Sequence, residues 1–437
     1  MNTYLHRAAV LAALFSIPPL AHSEYGIEIG HSSEFNDNAD LSEDQQADER
    51  EDRTWLELGL QFERDNWNLV SQYQLTNVHF DSDSETPQQD TEEIVGNTRF
   101  SAAAFKQRAE LTVNHNRQSL LGAPGGLELQ SNFVERDSLT FSPKWYFQRN
   151  SRQQVFVEGY FNRVDYEDRE TSNNSVNSNT QGLILGANRR ISEVTTLGLQ
   201  AQQLTTEYDG NNPDNDYASY VATYSTTLRR LTYSLTAGVN RSQSGDNPTL
   251  TSPRLGLDAA YTTGATTVSY SAQFFITDTS RGNTSSTDAT SGQGANLGNG
   301  DTSTISRYEL FSNRLNVRHQ FNERLTFRFT LDASNQDHEE DPTQDRSEFG
   351  LSSTVNYRLP SRWSWRLSAG YQNLEFGSAS LQSDYTLNTY SLSGNYAWND
   401  RLDTRLTVIH RQRDSDLATS DYTQNAITAQ ITYRLRP

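Results

Sequence analysis

Eight histidines, His6, His22, His31, His79, His115, His319, His338 and His410, are the first residues to test for chemistry, and no two stand at a metal-ligand spacing. No G-x-S-x-G elbow, H-E-x-x-H motif or phosphate-cradling glycine loop accompanies them. Cysteine is absent, which removes thiolate metal sites, disulfides and cysteine nucleophiles together. No catalytic residue, metal ligand or cofactor is therefore assigned. Residues 37–52 carry eight carboxylates against the single Arg50, and oxygen-rich loops suit calcium. Their spacing matches no calcium loop, so a solvated acidic surface with loosely shared divalent ions is the preferred reading. Arginine outnumbers lysine 34 to 2, and its planar fork suits carboxylate or sulfate as well as structural ion pairs. Six arginines stand out by position: Arg318, Arg328, Arg358, Arg366, Arg405 and Arg434 each fall on the polar side of an alternating segment, close to a short turn.

The segments that carry them repeat along the whole chain. Only 34% of the 437 residues are hydrophobic, yet Tyr (21) and Phe (19) are plentiful, which is not the aromatic-poor composition of disorder. Apolar and polar residues alternate with the two-residue period of a strand whose faces meet different solvents. Leu231, Tyr233, Leu235, Ala237 and Val239 oppose Thr232, Ser234, Thr236, Gly238 and Asn240. Leu325, Phe327, Phe329 and Leu331 oppose Thr326, Arg328, Thr330 and Asp332. The polar side stays polar along most of a strand, so it faces water throughout.

Connections sort into two sets. Tight ones lie at residues 64–66, 106–107, 150–152, 192–193, 229–230, 263–264, 322–323, 360–361 and 399–400; between them lie long acidic or Gly/Ser-rich ones at 37–52, 81–93, 121–130, 170–177, 209–216, 281–302, 337–345 and 415–421. A soluble sandwich or propeller gives no reason for such a systematic difference. Short turns at one end and long loops at the other predict an all-β, transmembrane antiparallel β-barrel, with periplasmic turns and extracellular loops. The count comes to about 20 strands, with 18 as the alternative because alternation is poor near Ile94, Gln181 and Tyr217. Pro143 inside a strand predicts a local irregularity.

Met1 to Ser23 has a positive start at Arg7, an apolar stretch and small residues before a cleavage point, so residues 1–23 are expected to be a signal peptide and 24–437 the barrel. The net charge of −19 excludes a nucleic-acid partner. Trp67, Trp145, Trp363, Trp365 and Trp398 all lie near tight turns, which predicts a periplasmic aromatic girdle at the headgroup level; Trp55 sits beside a long loop. Continued alternation places the six arginines on the inner wall near the periplasmic mouth. There they either draw in anions or brace the wall against acids such as Asp332, Asp403 and Glu348.

The stretch Glu34, Phe35, Asn36, Asp37, Asn38, Ala39, Asp40, Leu41 follows the first strand. It resembles the opening of the outer-membrane β-barrel porin family associated with exopolysaccharide and exosortase (PEP-CTERM) gene clusters, whose members begin with a strand running into a D-N-x-x-L stretch. The similarity continues through residues 56–62 and 67–80, and beyond them only as barrel rhythm and length. The resemblance implies an outer-membrane pore serving polysaccharide export, with no catalytic residue to carry over and with a periplasmic polysaccharide-export protein as a partner. Outer-membrane lipid, lipopolysaccharide and the barrel-assembly machinery are the other expected partners. Two alternatives stand beside the pore: a structural or adhesive barrel with partner-binding loops, and a barrel hydrolase acting on lipid or polymer.

Overall fold

A computed structural model describes residues 23–42, 47–82, 88–121, 133–168, 176–210, 212–278, 306–377, 380, 383–417 and 420–435. The expected signal peptide, Ser23 apart, lies outside the described residues, as does the loop at 281–302.

Among the described residues, alternation becomes twenty strands. They are β1 (Ser23–Asn36), β2 (Glu49–Arg64), β3 (Trp67–Ser82), β4 (Thr91–Ala104), β5 (Ala109–Leu121), β6 (Phe133–Arg149), β7 (Gln153–Asp168), β8 (Ser178–Arg190), β9 (Thr195–Tyr208) and β10 (Asn215–Thr227). The second half holds β11 (Leu231–Ser244), β12 (Leu250–Thr262), β13 (Thr266–Asp278), β14 (Arg307–Gln320), β15 (Leu325–His338), β16 (Arg346–Arg358), β17 (Trp363–Phe376), β18 (Tyr385–Ala397), β19 (Leu402–Ser415) and β20 (Tyr422–Leu435). Each strand pairs antiparallel with the next, and β1 closes the ring against β20 from Ile27↔Leu435 to Asn36↔Ala426. The strands near Ile94, Gln181 and Tyr217 are present as β4, β8 and β10, so the count is twenty rather than eighteen. Connections at one end take two to four residues and those at the other at least five. Two of the longer ones, 245–249 and 377–384, carry a single acid each and did not stand out in the sequence.

Closure matters because lipid offers no partner for a free strand edge; a ring satisfies every ladder internally. The D-N-x-x-L stretch helps to fasten the seam. Asn38 is fully buried; its Nδ2 donates to the carbonyls of Ser42 (2.8 Å) and Thr423 (2.9 Å), and its Oδ1 accepts from the Ser42 amide at 3.1 Å. Asp37 accepts from the Asn425 backbone amide at 2.6 Å and its side chain at 2.7 Å. Leu41 closes the turn in the left-handed region (φ 49°). At the opposite end of the same seam, Arg434 of β20 donates to Glu28 of β1 at 2.7 Å and also pairs with Asp403.

Pro143 lies opposite Leu111, and the β6–β7 ladder lacks pairs at 142–143 before its register shifts between Tyr146 and Gln148. Proline has no amide to give to the ladder, and a neighbouring bulge absorbs the mismatch.

Candidate functional site

Because successive side chains alternate, the register assigns every residue to one wall of the barrel. The face of Leu235, Val239, Leu255, Leu367, Leu392, Leu406 and Ile431 carries large apolar groups open to the surroundings, and it is the outer wall. The six arginines lie on the other face. Arg318 stands directly opposite Arg328 across β14 and β15. One cross-strand row runs Arg358, Ser364, Asn395, Arg405, Gln430, and Arg366 sits two residues above it.

Their partners differ. Arg434 is held by Glu28 and Asp403, and Arg366 donates to Asn356 Oδ1 at 2.9 Å. The guanidinium groups of Arg318, Arg328, Arg358 and Arg405 make no hydrogen bond or ion pair among the described residues. Of the acids named as braces, Asp403 braces Arg434, whereas Asp332 pairs with Arg314 and Glu348 accepts from Gln372 at 3.0 Å. Two like charges directly opposite on neighbouring strands repel each other. Guanidinium groups left unneutralised against a low-dielectric wall raise the local concentration of anions.

The tryptophans separate by wall. Trp67 pairs with Arg64 and Ala102, and Trp145 with Ala109, all on the outer face. Trp363 and Trp365 stack at 5.8 Å between ring centroids, and Trp398 meets Tyr396 edge-on at 4.9 Å. All five stand at the tight-turn end with partly exposed rings, and the exposed Phe105, Phe147 and Phe321 lie at or beside turns of the same end. The β4–β5 turn takes positive φ at Phe105, Lys106 and Gln107 in succession (51°, 56° and 64°), and its Phe105 ring rests 5.9 Å from that of Trp145. Trp55 points inward instead. Its indole occupies the space over Gly30, where a Cβ would meet the ring at 2.0 Å.

At the long-loop end the inner wall holds a feature that sequence reasoning missed. Asp278 and Arg307 share the face of the outward Phe274 and Phe311. Yet Asp278 accepts from Asn215 at 3.0 Å, and Arg307 donates to the Ser242 carbonyl at 2.9 Å, both on the inner side of β10 and β11. Pairing of β12 with β13 stops at Leu255↔Phe274. The ends of β13 and β14 therefore leave the wall and lean into the lumen, where Ile276 and Asp278 are 1% exposed and Arg307 3%. Arg307 also binds Glu340 and the Pro248 carbonyl. Phe275, Tyr308 and Leu310 form a small apolar cluster on the lumen side of this bend. The signal was the run Phe274, Phe275, Ile276, in which alternation fails.

The sequence matches no protein-family model and no curated protein. Solved structures are similar in shape. The FrpB iron transporter of Neisseria meningitidis aligns with a TM-score of 0.51 at 8% identity, over 94% of this chain and 82% of that one. OccAB2 of Acinetobacter baumannii gives 0.42 at 10%, covering 95% and 98%. OccK2 (OpdF) of Pseudomonas aeruginosa, solved in complex with glucuronate, gives 0.43 at 12%, covering 95% and 99%. At such identities the likeness is one of fold, a closed antiparallel barrel of the outer-membrane type.

Proposed function

We propose that the protein is an outer-membrane channel for anionic solutes, with its long loops outside the cell and its arginine-lined mouth in the periplasm. The observation that carries this reading is the set of four inward arginines without acidic partners among the described residues, Arg318, Arg328, Arg358 and Arg405. An acidic extracellular polysaccharide is the cargo class that the D-N-x-x-L resemblance adds, delivered by a periplasmic export partner. Lipopolysaccharide surrounds the outer rim, and the assembly machinery inserts the barrel. No reacting group is involved: the arginines hold an anion loosely enough to pass it on.

Reconstitution in a planar bilayer under a salt gradient tests the reading. Anion-selective current is expected, and replacing both Arg318 and Arg328 by alanine is expected to shift the reversal potential toward zero. Electrically silent protein, or selectivity indifferent to both substitutions, would overturn it. Uronic-acid oligomers added on the turn side are expected to block the current, which tests the polymer cargo separately. The second reading, a barrel whose loops bind a partner while its lumen stays shut, is favoured by one observation, the inward lean of β13 and β14.

A further inference from the structure

The outer wall of β14 to β17 changes character over two steps of register. Leu315, Leu331, Leu351 and Tyr371 form one cross-strand row, fit for hydrocarbon. The next row toward the long loops is Asn313, Ala333, Phe349, Asn373, and the one after it Phe311, Asn335, Ser347, Glu375. A cleft of about 300 Å³ opens along these two rows, bordered by the rings of Phe311 and Phe349, with the small Ala333 and Ser347 between them.

Its polar atoms are only half used. Asn313 Oδ1 accepts from the Tyr270 hydroxyl at 2.9 Å and Asn335 Oδ1 from Ser347 at 2.7 Å, so both amide NH2 groups remain as donors. Asn373 donates to Glu375 at 2.8 Å, which leaves its own carbonyl and the second carboxylate oxygen as acceptors. Unpaired amides on a wall that meets lipid are costly unless the surroundings supply polar partners. Among the described residues no lysine or arginine lines the cleft, and Glu375 repels a phosphate. Donors and acceptors side by side between phenyl faces match a ring of hydroxyls, whose C–H edges pack on aromatics.

We propose that this cleft binds the sugar headgroup of a glycolipid in the outer leaflet, the acyl chains lying along the row of Leu315 and Leu351. The assignment rests on the channel reading only in placing the long loops outside. Native mass spectrometry of the full chain, released from a sugar-free polyoxyethylene detergent, tests it with three probes: a monoglucosyl diacylglycerol, a digalactosyl diacylglycerol and phosphatidylglycerol. Both sugar lipids are expected to be retained about tenfold more than phosphatidylglycerol, a preference near 1.4 kcal/mol. The double variant Asn313→Leu, Asn373→Leu makes the wall more apolar where it meets lipid, and Ala333→Trp fills the cleft while keeping the amides. Each is expected to reduce sugar-lipid retention to the phosphatidylglycerol level with bilayer conductance unchanged. Equal retention of all three probes, retention indifferent to both variants, or barrel dimers in place of lipid adducts would overturn the site. Because conductance is read separately, a silent channel and an empty cleft are distinguishable results.

Discussion

At the scale of single residues, the seam depends on side chains that look ordinary in the sequence. Asn38 lies in a loop, yet it is fully buried and joins the β1–β2 connection to the backbone of β20 through Thr423. Replacing it by alanine leaves the Ser42 amide and two carbonyls without their partners. Each such loss costs about 1 kcal/mol or somewhat more, so Asn38→Ala is expected to destabilise the barrel by about 2–4 kcal/mol in urea titrations from lipid vesicles. An unchanged midpoint would mean that strand pairing alone closes the ring. The D-N-x-x-L stretch was legible as a resemblance, but its physical role was not, because Thr423 and Asn425 meet it only once the chain has closed on itself. The arginines behave differently: alanine at Arg318 removes a like-charge opposition rather than a bond, and no loss of stability should accompany the change in selectivity.

At the scale of elements, alternation decides which wall each side chain joins, and this is why most of the architecture was legible. Leu235 and Thr236 are neighbours on β11 facing lipid and lumen respectively. An arginine at an outward position near the bilayer midplane costs about 2–4 kcal/mol, while one facing water in the lumen costs little. Leu235→Arg is therefore expected to lower unfolding stability by that amount, and Thr236→Arg to leave it nearly unchanged, when both are measured in the same vesicles. Equal effects would contradict the assignment of walls. Where alternation fails, sequence reading lost its guide. Phe275 and Leu310 are apolar residues on the lumen face, and only three-dimensional packing explains them, with each other, with Tyr308 and with Arg254 of β12 over the Phe275 ring. The cleft on β14 to β17 was equally hidden, since its rows join residues from four strands and no single strand contains the pattern.

At the scale of the whole molecule, two regions can limit a current: the arginine-lined mouth at the tight-turn end and the inward-leaning strand ends at the other. Resistances in series are dominated by the narrowest section, so substitutions at the two sites should have different signatures. Arg307 holds the lean through Glu340 and the carbonyls of Ser242 and Pro248, and it is almost wholly buried. Arg307→Ala removes three of these attachments at once. If the strand ends set the resistance, single-channel conductance rises in this variant while the reversal potential stays that of the unaltered channel, because the charges that choose the ion are far away near the other mouth. Loss of Arg318 and Arg328 should do the converse, moving the reversal potential with a smaller change in conductance. We expect this separation; a single variant that shifted both quantities together would place selectivity and constriction in one region and remove the basis for assigning them to opposite ends of the barrel.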